Sequence, residues 1–535
     1  MPFEWQPIEV AEEHRERYLR EGWWNDDTLG QLLAAGLTDA ADAAFVVRSD
    51  RRPFRGTLGD VDRLARRLAG GLAARGIGPG SVVAFQLPNW VEAAATFYAT
   101  AYLGATVVPI VHFYGAKEVG YILRKTRVDA LITTDRFGAQ DFAANLDLMR
   151  SEGLPDLAWV AVVGERSFDE LLDDEPIAEP RPTAPDAPAL IAYTSGTTAD
   201  PKGVVHSHRT IGAEIRQLGA IQPAGRPMLI GAPVGHGIGM LAALLLPVWR
   251  RTAIHLIDVW DPGRVLAAMV EDDVSSGQGA TVFLTSLLDH PDFDPAVHGP
   301  RMATIGLGGA AVPRAVCERA RAIGIECARS YGCTEHPSIT GSTFAQSWDQ
   351  RCTSDGTLMP GVELRIVDDL GRDVEPGTPG EIWSRGPDCF WGYTDPTRTA
   401  EAFVDGWYRT GDVGILNEHG WLAITDRVKD IIIRGGENIS AQEVEELLIR
   451  MPGVAECAVV AAPDPRLGER AAAFFRMQPG LSAPTLSEIQ AALDAAGLAK
   501  PKWPEEVHAV AEFPRTPSGK VQKFVLRERL RGIDG

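Results

Sequence analysis

The sequence has few cysteines, no long apolar segment and no start typical of a secreted protein. Its six cysteines include no CxxC pair, which argues against a zinc ribbon or a dense disulfide framework and predicts buried free thiols. The longest apolar stretch, residues 238–249, has about half the length that a membrane span needs and is followed by two arginines. The first residues lack a basic start followed by an apolar run. We therefore expect a soluble protein of the reducing cytoplasm with no integral membrane segment.

Basic residues are also scarce, which limits the class of partner. The chain has 52 Lys and Arg against 72 Asp and Glu, a formal net charge of −20. A uniformly acidic surface repels phosphate backbones, so we expect no nucleic acid partner. Backbone N–H groups and a few cations can still hold a phosphate inside an acidic protein, so anionic small molecules remain open.

The length and the apolar pattern predict an α/β protein of at least two domains. At 535 residues the chain exceeds the size at which a single core stops growing. Helix-like residues 61–74 and 91–102 alternate with strand-like residues 81–85 and 105–110, which predicts mostly parallel sheets flanked by helices. The proline-rich, acidic residues 173–188 predict an exposed connection between lobes.

The pattern changes near residues 426–430, where we place a domain boundary. Beyond it, Ser440 with Glu443 and Thr485 with Glu488 form capping boxes ahead of helix-like segments. The residues after the boundary are numerous enough to form a small α+β domain of their own.

The most informative segment is residues 193–203, with the sequence YTSGTTADPKG. Hydroxyl and backbone N–H groups donate to phosphate oxygens, and a lysine supplies charge, so the segment suits a phosphate loop. It is not a Walker A loop, because Lys202 follows a proline and precedes Gly203. The alternative is a polar surface turn, which the length and order of the segment disfavour.

Residues 306–311, GLGGAA, fit a dinucleotide fingerprint, and Glu326 lies twenty residues after its first glycine. This pattern supports an alternative hypothesis, a nicotinamide-dependent oxidoreductase. Short glycine patterns also mark ordinary tight turns, so the neighbouring motifs decide between the two interpretations.

Three further motifs bear on that choice. Residues 330–335, SYGCTE, offer an aromatic face for a base and a Thr-Glu pair for a phosphate and its Mg²⁺, which hydride transfer does not require. Asp412 follows a glycine, which suits hydrogen bonds to both hydroxyls of a ribose, although a lone Gly-Asp is commonly a turn. Lys520 ends the last loop, RTPSGK.

Together and in this order, these five motifs resemble those of the adenylate-forming enzymes: acyl-CoA synthetases, adenylation domains of peptide synthetases, and luciferases. The resemblance covers about residues 50–530. Residues 232–236, 258–262, 283–285 and 431–438 resemble cyclohexanecarboxylate-CoA ligases and medium-chain acyl-CoA synthetases in particular.

The resemblance implies roles for the residues that match the motifs of the superfamily. The β- and γ-phosphates of ATP would be bound by Thr194, Ser195, Gly196, Thr197, Thr198 and Lys202. Adenine would be surrounded by Gly309, Ala310, Ser330 and Tyr331. Thr334 would contact the α-phosphate, and Glu335 would ligate Mg²⁺. Asp412 would bind the ribose, Arg427 would support ribose and phosphate, and Lys520 would bridge the substrate carboxylate and the α-phosphate. Ala199 replaces the usual glycine of the phosphate loop without removing a donor or a charge.

The resemblance also implies an adenylation body at residues 1–427, a hinge at residues 428–430 with Lys429 at the hinge position, and a mobile cap at residues 431–535. The lysine loop would block the approach of the CoA thiol, so the cap is expected to rotate after the first half-reaction. Rotation would bring three residues of the cap to the pantetheine channel: Gly435, Gly436 and Glu437.

The predicted acyl pocket comprises His236, Gly237, Gly277, Gly279, Thr281 and Gly308. Its glycines either leave room for a wide acyl group or merely terminate strands, and the sequence does not decide between these. Gly237 stands where enzymes acting on hydroxybenzoates typically carry Asn, which favours an apolar medium-chain, alicyclic or bulky ring-bearing acid.

The leading hypothesis is an ATP-dependent carboxylic acid–CoA ligase that acts through acyl-AMP and releases AMP and pyrophosphate. Its partners would be ATP, CoA and a small-molecule carboxylic acid; assembly as a homodimer is left open. Three alternatives remain: a ligase that loads a carrier protein, the oxidoreductase, and a non-catalytic binder of acyl-adenylate.

Overall fold

The computed structural model describes residues 3, 5–194, 201–221, 225–309, 312–427, 429–434, 437–515 and 520–532. Its sheets divide into a large body, whose last strand ends at Arg427, and a small C-terminal cap, whose first strand begins at Ile432. The helices of the body are α1 (Glu12–Arg20), α2 (Leu29–Asp39), α3 (Leu58–Ala74), α4 (Val91–Tyr102), α5 (Ala116–Thr126), α6 (Phe142–Glu152), α7 (Arg166–Asp169), α8 (His208–Ile221), α9 (Gly237–Met240), α10 (Leu246–Arg250), α11 (Pro262–Glu271), α12 (Thr281–Leu288), α13 (Pro295–His298), α14 (Arg314–Arg321), α15 (Trp348–Thr353) and α16 (Pro396–Ala402).

The strands of the body are β1 (Ala44–Arg48), β2 (Phe54–Thr57), β3 (Val82–Gln86), β4 (Thr106–Ile110), β5 (Ala130–Thr134), β6 (Arg136–Phe137), β7 (Gln140–Asp141), β8 (Trp159–Val163), β9 (Pro188–Thr194), β10 (Lys202–Ser207), β11 (Leu229–Ile230), β12 (Ile254–Ile257), β13 (Thr304–Leu307), β14 (Glu326–Tyr331), β15 (Thr340–Gly341), β16 (Thr357–Leu358), β17 (Glu363–Val367), β18 (Gly380–Arg385), β19 (Phe403–Val404), β20 (Trp407–Leu416) and β21 (Leu422–Arg427). The cap contains α17 (Ala441–Leu448), α18 (Leu486–Ala495), α19 (Lys523–Leu530), β22 (Ile432–Arg434), β23 (Glu437–Ile439), β24 (Val454–Asp464), β25 (Gly468–Met477) and β26 (Glu506–Ala509).

The first large sheet has the strand order β10-β9-β4-β3-β5-β8 and is parallel except for the β9–β10 pair. Strands β3, β4 and β5 are buried along their whole length, which is typical of parallel strands covered by helices on both faces. Helix α4 is buried at every position. The predicted parallel α/β body is confirmed.

Residues 173–187 connect two strands of this same sheet, β8 and β9. The predicted connection between lobes was therefore wrong. Arg181 donates its backbone N–H to Tyr102 in α4, and Ile177 donates to Arg66 in α3, so the segment runs over helices of the body. Proline and acidic residues indicate an exposed path, but they carry no information about which sheets the path joins.

Two smaller sheets meet beside the first one. Strands β13 and β14 are parallel and continue into the antiparallel β15 and β16. Strands β17, β18, β20 and β19 form an antiparallel sheet that β21 joins through β20. The pairing of β20 with β21 sets Asp412 opposite Arg427, and β14 ends at Tyr331.

The cap is a five-stranded sheet, β23-β22-β25-β24 with β26, packed against its helices. Thr485 and Glu488 form the predicted capping box of α18. The capping box predicted for α17 was wrong in its second half: Ser440 accepts from the N–H of Glu443, but the Glu443 carboxylate pairs with Lys502 at 2.6 Å. The Ser440 hydroxyl instead donates to the Thr425 carbonyl at 2.7 Å, which ties the cap to the body.

All six cysteines are free thiols, and four of them, Cys317, Cys327, Cys352 and Cys389, are buried. This confirms the prediction of free rather than disulfide-bonded cysteines. Within the described part of the chain, no helix combines the length and the apolar character that crossing a membrane requires.

Candidate active site

A cavity of about 880 Å³ is lined by residues of both the body and the cap. The structure brings most of the predicted site residues to its wall: Thr194, Lys202, His236, Gly237, Gly277, Gly279, Gly308, Gly309, Ser330, Tyr331, Thr334, Glu335, Asp412, Arg427, Lys429 and Lys520. The predicted pocket residue Thr281, the first residue of α12, is not among the lining residues, although Gly279 and Phe283 on either side of it are. Other predicted residues lie outside the described residues: Ser195, Gly196, Thr197, Thr198, Ala199, Ala310, Gly435, Gly436 and the side chain of Glu437.

The predicted phosphate loop is flanked by two antiparallel strands, β9 before it and β10 after it. Thr194 at the end of β9 pairs with Lys202 at the start of β10, so both flank one edge of the cavity. The Lys202 ammonium lies 5.3 Å from the centre of the Tyr393 ring. A Cβ on Gly203 would lie 2.6 Å from the Thr394 hydroxyl, so the close approach of Thr394 to strand β10 requires glycine at this position.

The Thr334–Glu335 pair follows β14 and is held from three directions. The Tyr393 hydroxyl donates to Oε1 of Glu335 at 2.8 Å, and the backbone N–H of Phe390 donates to the Glu335 carbonyl at 2.8 Å. His206 lies 2.8 Å through Nε2 from the Thr334 carbonyl. Sequence reasoning missed His206, Phe390 and Tyr393, since no local pattern relates them to Glu335.

Asp412 is the centre of a charged cluster at the predicted ribose position. Its Oδ1 lies 2.9 Å from Nε of Arg427, and the Tyr331 hydroxyl donates to Oδ2 at 2.7 Å. Burial and the Asp412 carboxylate raise the pKa of Tyr331 well above its usual value. Asp412 lies in a bulged part of strand β20 rather than in the turn that a lone Gly-Asp commonly forms, and Gly411 at φ +71° accommodates the bulge.

Lys520 extends from the cap into the same cavity. Burial and the positive charge of Arg427 lower the pKa of its ammonium, while Asp412 and Glu335 act in the opposite direction. Burial and the Lys520 charge together lower the pKa of His236 to about 4, so this imidazole is neutral at pH 7. The cap lysine is therefore close at once to residues predicted to bind the ribose, the Mg²⁺ ion and the acyl group.

The predicted acyl part of the cavity has an apolar wall, and the predicted glycines make up only part of it. Residues 238–249 form α9, a π turn at Leu241–Leu245, and α10, where Pro247 lacks the N–H that a regular helix needs. Trp260 and Phe283, which also line the wall, pack edge to face at 4.7 Å. Gly231 makes room for Trp260, since a Cβ there would lie 2.3 Å from the indole.

The two interpretations of the pocket glycines apply to different glycines. A Cβ on Gly237 would meet nothing within 4 Å, so its missing side chain leaves open space. Gly277 and Gly279 adopt φ values of +95° and +97°, so their backbone conformation requires glycine. A Cβ on Gly308 would meet the Ser330 hydroxyl at 2.7 Å, so that glycine permits a close approach.

The geometry does not support the oxidoreductase alternative. Gly306 of the fingerprint lies within β13 rather than in the turn after it. Glu326 begins β14 opposite Thr304, whereas nucleotides bind beyond the carboxyl ends of parallel strands. The Glu326 carboxylate is instead paired with Arg351 at 2.5 Å.

Comparison with known proteins identifies the family of the chain. The family model "AMP-binding enzyme" matches residues 36–394, and "AMP-binding enzyme C-terminal domain" matches residues 443–520. The chain is 32% identical over 531 residues to a medium-chain fatty-acid–CoA ligase of Escherichia coli, covering 97% of this chain and 93% of that protein. It is 35% identical over 497 residues to a 3-[(3aS,4S,7aS)-7a-methyl-1,5-dioxo-octahydro-1H-inden-4-yl]propanoyl:CoA ligase of Rhodococcus jostii, covering 87% of this chain and 92% of that protein.

A solved structure is similar over almost the whole chain. ATP-bound MatB from Rhodopseudomonas palustris superposes with a TM-score of 0.84 at 27% identity, covering 94% of this chain and 99% of that one. The predicted resemblance and the predicted enzyme class, an AMP-forming acid–thiol ligase, are confirmed. With family models matched in both the body and the cap, the chain belongs to the AMP-binding enzyme family.

Proposed function

We propose that the protein activates a carboxylic acid with ATP to form acyl-AMP and then transfers the acyl group to CoA. The observation that carries this proposal is the convergence of Lys520, Glu335 and the Asp412–Arg427 pair on one cavity. The three groups come from the cap, from the segment after β14 and from the β20–β21 pair, and acyl adenylation requires all three kinds of group.

In the first half-reaction a carboxylate oxygen attacks the α-phosphorus, and the bond from that phosphorus to pyrophosphate breaks. Two anions must approach each other, so cations at the α-phosphate lower the barrier. The ammonium of Lys520 would supply one such charge. Thr334 would bind the α-phosphate, Thr194 and Lys202 the outer phosphates, and Asp412 with Arg427 the ribose. Adenine would lie against the residues Gly309, Ser330 and Tyr331.

The described residues fit a bound Mg²⁺ at Glu335. Its carboxylate borders the cavity beside Thr334, and the Tyr393 hydroxyl fixes one of its two oxygens. Mg²⁺ is usually held by one or two carboxylates together with substrate phosphates and waters, which one carboxylate at this place satisfies. The bound ion would neutralise charge on the phosphates as pyrophosphate leaves.

The apolar wall supports a medium-chain, alicyclic or ring-bearing acid as the substrate. Trp260 and Phe283 offer a broad apolar surface, and the space beside Gly237 leaves room for width. The two relatives described above are named for a medium-chain fatty acid and for a fused-ring propanoate. We propose that the acid substrate of this chain falls within the same range of carboxylic acids.

Pyrophosphate release with a panel of linear, alicyclic and fused-ring acids, followed by mass spectrometry after CoA is added, tests the proposal. We expect pyrophosphate only when both acid and ATP are present, and a new acyl-CoA mass. Adenylate without any acyl-CoA would favour the carrier-loading alternative. No pyrophosphate with any acid would refute the proposal.

The second half-reaction is proposed to follow a rotation of the cap about Lys429. This residue lies between the last strand of the body and the first strand of the cap, and it lines the cavity. In the described orientation Lys520 occupies the cavity, so CoA would need the cap to turn and present residues 435–437.

Lys429→Pro should therefore impair the two half-reactions unequally. Proline fixes φ near −65° and restricts the residue before it, so rotation is hindered while the present orientation persists. We expect transfer from acyl-AMP to CoA to slow about tenfold or more, with pyrophosphate release nearly unchanged. Lys429→Ala, which keeps the backbone free, is the matched control. Equal losses in both half-reactions would rule out gating by this hinge.

A further inference from the structure

The cap is bound to the body at the N-terminal end of helix α17. The Ser440 hydroxyl donates to the Thr425 carbonyl at 2.7 Å, and the backbone N–H of Ala441 donates to Oδ2 of Asp426 at 2.6 Å. The two acceptors belong to β21, the last strand of the body, and the two donors belong to the start of α17 in the cap. Two adjacent hydrogen bonds therefore cross from the cap to the body at this point.

Asp426 presents a carboxylate to positive groups of the cap. It is 6% exposed, and its Oδ1 accepts from the backbone N–H of Arg427 at 2.7 Å. Burial raises the pKa of the Asp426 carboxyl, and the charge of Lys523 acts in the opposite direction. The first N–H groups of a helix carry a partial positive charge, which attracts a carboxylate. Asp426 therefore interacts with both the start of α17 and the ammonium of Lys523.

Helix α17 is in turn bound to the segment that carries Lys520. The Glu445 carboxylate of α17 pairs with the Lys523 ammonium at 2.8 Å. Lys523 begins α19 three residues after Lys520, and both lysines line the cavity. The same Glu445 carboxylate accepts from the backbone N–H of Val459 in β24 at 2.6 Å, so the helix is also tied to the sheet of the cap. A contact that fixes α17 therefore helps to fix the position of Lys520.

We propose that Asp426 is a positioning residue for acyl-AMP formation, because its hydrogen bond to α17 holds the cap in the orientation that places Lys520 in the cavity. This inference rests on the proposed function and on the proposed rotation of the cap. Asp426 precedes Lys429 in the chain and Ala441 follows it, so rotation about Lys429 displaces the acceptor from the donor. Hydrogen bonds tolerate only small changes in distance. The contact thus stabilises one of the two cap orientations, and its loss shifts the population toward the other.

Asp426→Ala should therefore affect the two half-reactions in the opposite sense to Lys429→Pro. The acid is the panel member that the wild type activates fastest. We expect single-turnover pyrophosphate release to slow about tenfold, because fewer molecules hold Lys520 in the cavity. Transfer from added acyl-AMP to CoA should stay unchanged or become up to about threefold faster. Asp426→Asn, which keeps an acceptor of similar size for the Ala441 N–H, should retain pyrophosphate release within about threefold of the wild type.

Thr485→Ala is the matched control, because the Thr485 hydroxyl accepts from the N–H of Glu488 at the start of α18, entirely within the cap. It should leave the ratio of the two half-reactions unchanged. If Asp426→Ala does not fold, Ser440→Ala, which removes the neighbouring bond to Thr425, is assayed for the same difference. Absence of pyrophosphate release by the wild type would refute the proposed function itself. Wild-type activity together with an equal loss in both half-reactions of the variant, or no loss in either, would overturn only this inference and leave the proposed function standing.

Discussion

Replacing Lys520 by alanine is expected to slow formation of acyl-AMP by about a hundredfold to a thousandfold. The side chain is a cation that the cap brings into the cavity, where Asp412 and Glu335 interact with its charge. Without it, the attacking carboxylate and the α-phosphate would approach each other with less compensation of charge. Transfer from synthetic acyl-AMP to CoA should stay within a few-fold of the wild type, because the proposed rotation of the cap moves the lysine away from the cavity for that step.

Single-turnover pyrophosphate release and thioester formation from added acyl-AMP measure the two steps separately. Lys502→Ala is the matched control, since Lys502 is also a lysine of the cap but pairs with Glu443 on the surface. It should leave both steps unchanged. If Lys520→Ala slowed the two steps to the same extent, a role confined to adenylation would be wrong.

Asp412→Ala is expected to raise KM for ATP about a hundredfold. The carboxylate accepts from Tyr331 and pairs with Arg427, so its removal deletes the proposed ribose ligand and leaves two polar groups without their partner. A loss of hydrogen bonds to a charged group, at about 1.5–3 kcal/mol, corresponds to roughly tenfold to more than a hundredfold in affinity.

Initial rates at varied ATP give KM, and the midpoint of thermal unfolding separates a loss of binding from a loss of folding. Asp373→Ala is the control, because Asp373 pairs with Arg365 on the surface of the body. We expect no change in KM for that variant. A lowered unfolding midpoint for Asp412→Ala with unchanged KM for ATP would assign Asp412 a purely structural role.

The residues that the sequence could predict share one property: each lies in a short motif whose residue types indicate the chemical group that it could bind. Lys202, Glu335, Asp412 and Lys520 are separated widely along the chain, and the fold brings them to one cavity. Buried strands such as β3 and β4 could also be predicted, because a short continuous apolar run between turn residues is typical of a parallel strand covered on both faces.

The residues that escaped prediction are those whose partners are distant in sequence. Tyr393 reaches Glu335 across 58 residues, and Ser338 reaches Glu214 across 124. The periodicity and the motif spacing of the sequence do not predict such pairs, since these contacts depend on how the sheets pack against each other. Thr281 is absent from the wall although Gly279 and Phe283 line it, and the sequence does not show which of the first residues of helix α12 face the cavity.

The π turn at Leu241–Leu245 has a consequence for how this pocket can change over evolution. A π turn accommodates one residue more than an α-helical turn, so it is equivalent to a single-residue insertion within the helix. Deleting one residue there would rotate the preceding side chains by about 100° around the axis relative to α10, since each residue turns an α-helix by that angle. Such a deletion would give the proposed acyl wall a new set of side chains while every residue proposed to contact ATP stayed the same.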